Sequence, residues 1–346
     1  MEIDRSIPTH KSIEWRHLIY LALLAAAVFL LLPHLVRFDR LVKLLLTAHP
    51  QYILVALAAE SLRYIFSAGS TIALARLFDR RVPLMPMTEA FFAGAALNRI
   101  FSTGGAPGMV VRLIFLLKQG LHVGWVAAIY MIEDLIGFGI GVVVFLFGIG
   151  ILTSAQNTRS IVELALGLLG GSILLGLLVI YVLRQKILVR RLVHGIAHFS
   201  NRIVERFFRR TVYRRDRVER TLDDFYVGLH EARLRPQYVA VALLFNVLRY
   251  VAGGATLFFC FYALGDTISP GVLILLYTTA SVLSTTSAML GEVAIMGTGF
   301  VVLFGTLGLS PEAAILAMVL SRALAFWLPM PVGLLALWHL RRRNQL

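Results

Sequence analysis

Six uninterrupted apolar runs, at 18–36, 51–75, 124–152, 161–183, 237–263 and 312–338, constrain any fold this chain can adopt. Each is close to or above the roughly 20 apolar residues that a helix needs to cross a hydrocarbon core of about 30 Å. Charge is correspondingly scarce. Asp, Glu, Lys and Arg make up 15% of the 346 residues and 58% are hydrophobic, whereas a soluble domain carries about 25% charged residues. The expectation is an all-α, polytopic membrane protein with six full spans, forming a single membrane domain over 1–346. Two further apolar regions, 84–118 and 271–308, are broken by glycines and polar side chains.

The net charge of +14 lies beside the spans rather than in a recognition motif. From Arg184 to Arg235 there are 14 Lys/Arg against six Asp/Glu, and the chain closes on Arg341-Arg342-Arg343. That is the positive-inside pattern of a membrane protein, not a nucleic-acid interface. It places 76–83, 184–236 and 341–346 on the cytoplasmic side of an inner membrane, with both termini cytoplasmic. The connections 153–160 and 264–270, with one Lys/Arg between them, face outward. Loop 37–49, with Arg37, Arg40 and Lys43, runs against this bias. The first run, with no small-residue cleavage site, reads as a retained span. On this count 84–118 starts and ends inside, so it enters and returns as a re-entrant helical hairpin. Region 271–308 does the same from outside. Irregular backbone at membrane depth survives only where protein or a water-filled cavity satisfies it, so both interruptions imply a cavity.

The halves can be laid over each other. "LRY" occurs at Leu62-Arg63-Tyr64 and at Leu248-Arg249-Tyr250, and "GLHVGWVAAIYMIED" from Gly120 resembles "GLSPEAAILAMVLSR" from Gly308. The offsets are 186 and 188 residues. A first repeat over 17–152, with hairpin 84–118, then matches a second made of 161–183 plus 237–340, with hairpin 271–308. The first starts inside and the second outside, which is an inverted-topology repeat. Transporters built this way bind substrate near the midplane, at broken helices.

Charges within spans are costly and are candidates for function. Glu60 and Arg63, three apart on one helix face, read as an internal pair. Arg99 reads as a side chain snorkelling from the cytoplasmic end of the hairpin. In "NRIFSTGGAPGMVVR" (98–112), Pro107 has the look of a first-turn proline. Gly104 and Gly105 would form the tip, and free N–H groups at the helix start would offer an anion site about one and a half turns from Arg112. Arg112 either joins that site, with Asn98, Gly108 and Glu292 as further substrate-binding candidates, or pairs with Glu133 or Asp134. Glu133-Asp134 aligns with Ser321-Arg322. Glu133, Asp134, Arg322, Arg63 and Arg249 are thus candidates for a charge network that gates the cavity or braces it.

Enzyme chemistry finds no support in the spacing. The glycines at 104–108 lack the GK[ST] of a phosphate loop, and no GxGxxG opens a helix after a strand. His194 and His198 lack a third metal ligand, and no serine or threonine in the broken regions has an adjacent His. Cys260, the single cysteine, reads as a small buried hydrophobe. No catalytic residue, metal or cofactor is expected. In 184–236 the series Leu192, Ile196, Phe199, Ile203, Phe207 and Val218, Leu222, Phe225, Leu229 recur at helical spacing. They predict two basic amphipathic helices, lying on the inner leaflet or packed beneath the bundle.

The hairpin "NRIFSTGGAPGMVVRLIFLLKQG", the span "AAIYMIEDLIGFGIGVVVFLF" and the ending "LGLSPEAAILAMVLSRALAFWLPMPVG" resemble the flippase-like membrane domain of lysylphosphatidylglycerol synthases and its stand-alone relatives. Asn98, Gly108, Arg112, Glu133, Arg322 and Trp327-Leu328-Pro329 match the family pattern. Met109 replaces the acid after its glycine, Gly137 ends the motif that Glu133-Asp134 begins, and "STTSAMLGEVAIMGTG" rewrites the second hairpin with Glu292 displaced. The resemblance implies a protein that binds or moves an anionic or amphipathic membrane lipid between leaflets. Because the sequence ends at Leu346 without the soluble aminoacyl-transferring domain, it is not expected to make that lipid. A transporter of a small polar or anionic solute, and a non-transporting partner of a lipid-biosynthesis enzyme, remain open at this stage.

Overall fold

The computed structural model describes residues 47–101, 105–153, 159–195, 215–274, 276–278 and 311–346. The first expected span, Gly104, Glu292 and most of the second hairpin lie outside these residues. The described residues form helices and turns, with no strand among them. We number the helices α1 (Pro50–Ala75), α2 (Leu84–Phe101), α3 (Ala106–Lys118), α4 (Val123–Thr153), α5 (Arg159–Arg184), α6 (186–195), α7 (Arg215–Leu234), α8 (Pro236–Ala263), α9 (Pro311–Trp327) and α10 (Pro329–Arg342). Four described stretches are long and apolar enough to cross a membrane: Pro50–Phe78, Val123–Phe147, Pro236–Ala263 and Leu316–Arg342. The last runs through α9 and α10 across the break at Leu328-Pro329, where a proline ring at the start of α10 removes an amide donor.

The most extensive pairing joins α1 to α8, the two helices that carry "LRY". They run antiparallel. His49 N–H, just before α1, donates to the Ala263 carbonyl at 2.7 Å, near the end of α8. Towards the other end, Asn246 Nδ2 donates to Ser70 Oγ at 2.7 Å. Small residues permit the approach: Ala56, Ala68 and Ala242 are fully buried, and a Cβ added at Gly69 would stand 2.6 Å from the Phe245 ring.

The basic segments gather at one end of the bundle. Arg235, just before α8, reaches Asp79, just after the Arg76–Phe78 turn, at 2.8 Å. His122 lies 3.3 Å from Asp224 of α7. Lys118 Nζ donates to the carbonyl oxygens of Asn344 and Leu346, each at 3.0 Å. Leu77, Val82, Leu121 and Leu340 share one core cluster beneath them. Helix α2 therefore leaves this end and α3 returns to it. With rises of about 27 and 20 Å respectively, the pair forms a hairpin that reaches deep into the bundle. Helix α10 covers α2, where Gly333 is buried against the Phe92 backbone.

Candidate polar site between the hairpin and helix α4

The hairpin turn is built around glycine. Gly105, at φ +88°, caps α3 in a backbone region closed to most side chains. Pro107 follows in the first turn, as its fixed φ favours. The backbones of α2 and α3 then nearly touch. A Cβ on Gly108 would meet Asn98 Nδ2 at 2.5 Å and the Gly94 carbonyl at 2.6 Å. Asn98 Oδ1 accepts the Gly108 N–H at 2.6 Å, and Met109 N–H donates to the Gly105 carbonyl at 3.2 Å. Pro107 has no N–H, and the Gly108 and Met109 N–H groups, two of the donors expected to face a ligand, are already used. Asn98 and Gly108 brace the hairpin itself.

Arg112, half-buried on α3, is held by aromatic faces rather than by a carboxylate. Its guanidinium carbon lies 4.7 Å from the Phe91 ring centre on α2 and 5.2 Å from that of Tyr130 on α4. Such contacts stabilise a partly desolvated cation by about 1 kcal/mol each. Its nearest polar contact, Nε to the Gly108 carbonyl, is a long 3.4 Å. The hydroxyl of Tyr130 is buried and has no hydrogen-bond partner among the described residues.

One turn along α4, Glu133 Oε1 accepts a hydrogen bond from Thr71 Oγ1 of α1 at 2.7 Å. Asp134 beside it is exposed. Arg249 enters from α8, with a guanidinium nitrogen 3.2 Å from where a Cβ on Gly137 would stand. Tyr250 donates to the Gly137 carbonyl at 3.3 Å. Arg112 and Arg249 both lie within electrostatic reach of Glu133 and Asp134. Neither carboxylate forms a direct ion pair among the described residues. Counted along the helices from the basic end, Glu133 sits about 15 Å deep and Arg249 about 20 Å, near the middle of a core about 30 Å thick. By the same count from Lys118, Arg112 sits about 9 Å deep, so two cations and two acids stand separated in the upper half and middle of that core, on four different helices counting Thr71.

Other candidates lie elsewhere. Arg63 hydrogen-bonds Glu60, its neighbour on α1, and Glu60 is only 2% exposed. Tyr64 stacks on Phe92 at 4.3 Å, tying this pair's helix to α2. Arg99 does not snorkel from the basic end. It occupies the last turn of α2, donates to the Ala325 carbonyl at 3.4 Å and lies 5.6 Å from the Phe326 ring. The helix runs on past it to Phe101, which carries it to the far end. Arg322 is exposed on α9, one turn before Phe326. Sequence reasoning passed over Thr71, Ser70, Phe91 and Tyr130. The adjacent Ser70-Thr71 inside an apolar helix was a signal for the first two. The aromatic clamp has none, because it depends on how α2, α3 and α4 meet.

No curated protein matches the chain. The family model described as the lysylphosphatidylglycerol synthase TM region matches residues 18–333, nearly the whole sequence. Helices α1 to α9 and the polar site fall within that match, α10 begins inside it and runs past its end, and the chain belongs to the family of the lysylphosphatidylglycerol synthase membrane region.

Proposed function

We propose that this multi-pass membrane protein carries a lipid with an anionic or amphipathic head group between the leaflets of the inner membrane, without itself catalysing a covalent step. The observation that carries the reading is the arrangement around Glu133: Arg112 and Arg249 approach the acid pair from two helices without closing on it. Charges kept apart at membrane depth are costly unless something completes them. A head group entering beside Arg112 supplies the missing anion, and Tyr130 adds a donor. Glu133, Asp134 and Arg249 then exchange partners as the cavity changes side, with Arg322 as a further charge of the same network.

The α2–α3 hairpin is read as re-entrant, since both of its ends belong to the basic, cytoplasmic face. The antiparallel α1–α8 pair, joining the two "LRY" helices, is what an inverted repeat leads one to expect at its pseudo-twofold axis. Family membership supports an association with lipid.

Reconstituted vesicles carrying fluorescent lipids test this. Wild type is expected to accelerate exchange of an anionic lipid between leaflets, and Arg112→Ala to slow it about tenfold, as when one charge-assisted contact is lost. Arg112→Lys, which keeps the charge but not the flat stacking surface, falls between the two. Exchange that is unchanged in Arg112→Ala removes Arg112 from the path. Uptake of a soluble anion by wild type, with no lipid exchange, replaces the lipid reading with that of a solute carrier.

A further inference from the structure

A second polar feature lies at the basic end, away from Arg112 and Glu133. A cavity of about 100 Å³ opens between α6 and α7, lined by Lys186, Ile187, Arg190, Leu222, Asp223 and Tyr226. It sits where α5 ends: the Tyr226 hydroxyl donates to the Leu183 carbonyl, in the last turn of that helix, at 3.3 Å. Above it, α5 turns an apolar face outward. Leu174 is 72% exposed, and Leu177, Leu178 and Tyr181 are exposed with it. On a membrane protein such a face meets acyl chains, and an exposed tyrosine near the helix end marks head-group level. Ile187, 69% exposed, continues the apolar surface to the mouth of the cavity.

The charges at this mouth are unevenly committed. Arg190 is paired with Glu219 at 2.6 Å, and Glu219 also faces His194 at 2.9 Å. Lys186 Nζ lies 5.0 Å from the centre of the Tyr226 ring. Beyond that contact, neither Lys186 nor Asp223 has a hydrogen bond or ion pair among the described residues. The cavity therefore presents one unspent cation and one unspent anion beside the apolar Ile187 at its mouth and the buried Leu222.

We infer that this cavity binds the head group of a zwitterionic aminophospholipid from the leaflet at the basic end. Its phosphate meets Lys186, with Arg190 behind, and its primary ammonium meets Asp223. Charge complementarity selects the zwitterion. A purely anionic head group satisfies Lys186 but brings its negative charge up to Asp223, whereas phosphoethanolamine answers both groups. The inference rests on the membrane placement of the chain and not on transport. The same lipid bound here need not be one that is carried.

The test uses the full chain in detergent micelles doped with equal amounts of phosphatidylethanolamine and phosphatidylglycerol, with retained lipids counted by native mass spectrometry. Wild type is expected to retain phosphatidylethanolamine in preference. Asp223→Asn lowers that retention up to about fivefold, the range of a partly exposed charge contact, and raises retention of phosphatidylglycerol. Lys186→Gln lowers both, and Asp223→Glu keeps the wild-type order. Both side chains are exposed, so the melting temperature of each variant should match wild type. A phosphatidylglycerol preference in wild type, or a lipid ratio unmoved by Asp223→Asn, overturns the inference. Failure of Arg112→Ala to affect exchange leaves it standing, so the two readings fall separately.

Discussion

Glu60–Arg63 and Glu133–Arg249 place the same two chemistries inside the same bundle and treat them differently. Glu60 and Arg63 share one helix and bond directly, so their charges are spent on each other. Glu133 instead takes a neutral donor, Thr71, while the nearby arginines rest on aromatic rings and helix backbone. A direct pair one turn apart is the cheaper way to hide charge in a bilayer, since it needs no partner helix to hold position. The second arrangement forgoes that saving. Its members come from α1, α3, α4 and α8, so it responds whenever those helices shift. This contrast separates a brace from a working site, and it can be broken experimentally.

The largest effect is expected at the brace. Arg63→Ala leaves Glu60 buried without its counter-charge, which costs about 3 kcal/mol of stability. Thermal melting in detergent reads this directly. Glu60→Gln combined with Arg63→Gln removes both charges and should recover most of the loss, with lipid exchange per folded molecule unchanged. Arg249→Gln should behave in the opposite way, melting within about 1 kcal/mol of wild type while exchange is lost. Equal behaviour of Arg63→Ala and Arg249→Gln in both assays would abolish the distinction.

Thr71→Val is expected next. The substitution keeps shape at a fully buried position but removes the donor to Glu133. A hydrogen bond to a charged group is worth about 1.5–3 kcal/mol. If Thr71 sets the poise of Glu133, exchange falls about tenfold and Thr71→Ser restores it. Unchanged exchange would reduce Thr71 to a packing residue.

What could be read from the sequence divides along a similar line. The spans at 51–75, 124–152, 237–263 and 312–338 coincide with described apolar helices, because a membrane imposes length and composition on each stretch separately. The start of α3 was legible in Gly105 and Pro107, whose backbone preferences are local. The Glu60–Arg63 pair was legible from its spacing of three. The use of Asn98 was not: a side chain that caps a helix ten residues away depends on two backbones touching at Gly94 and Gly108. Nor was the stacking of Arg112, for which charge alone suggested either a bound anion or a carboxylate partner. Arg99 was expected at the basic end because the hairpin's polar stretch reads as an interface, whereas α2 starts at that end and carries Arg99 to its last turn, away from it.

At the basic end, water changes the terms of the comparison, and the smallest effect is expected there. Asp79 is exposed and hydrogen-bonded to Arg235, which holds its carboxyl below the usual range. Glu219 is likewise held down, first by its hydrogen bond to His194 and then by the charge of Arg190. A carboxylate depressed in the folded state contributes stability above its ordinary value, and that contribution fades as pH falls through the lowered one. The pair should therefore be at full strength at neutral pH, hold steady down to about pH 4, and weaken below it. Asp79→Asn should lower the melting temperature only slightly at pH 7, as exposed pairs do, and not at all near pH 2. About 1 M salt should shrink even the neutral-pH difference, because screening then acts over about 3 Å. A large effect of Asp79→Asn at pH 7 that resists salt would mean that Asp79 and Arg235 do more than join the ends of α1 and α8. It would place the clasp beneath the bundle among the working parts and leave the charges at mid-depth as only half of the device.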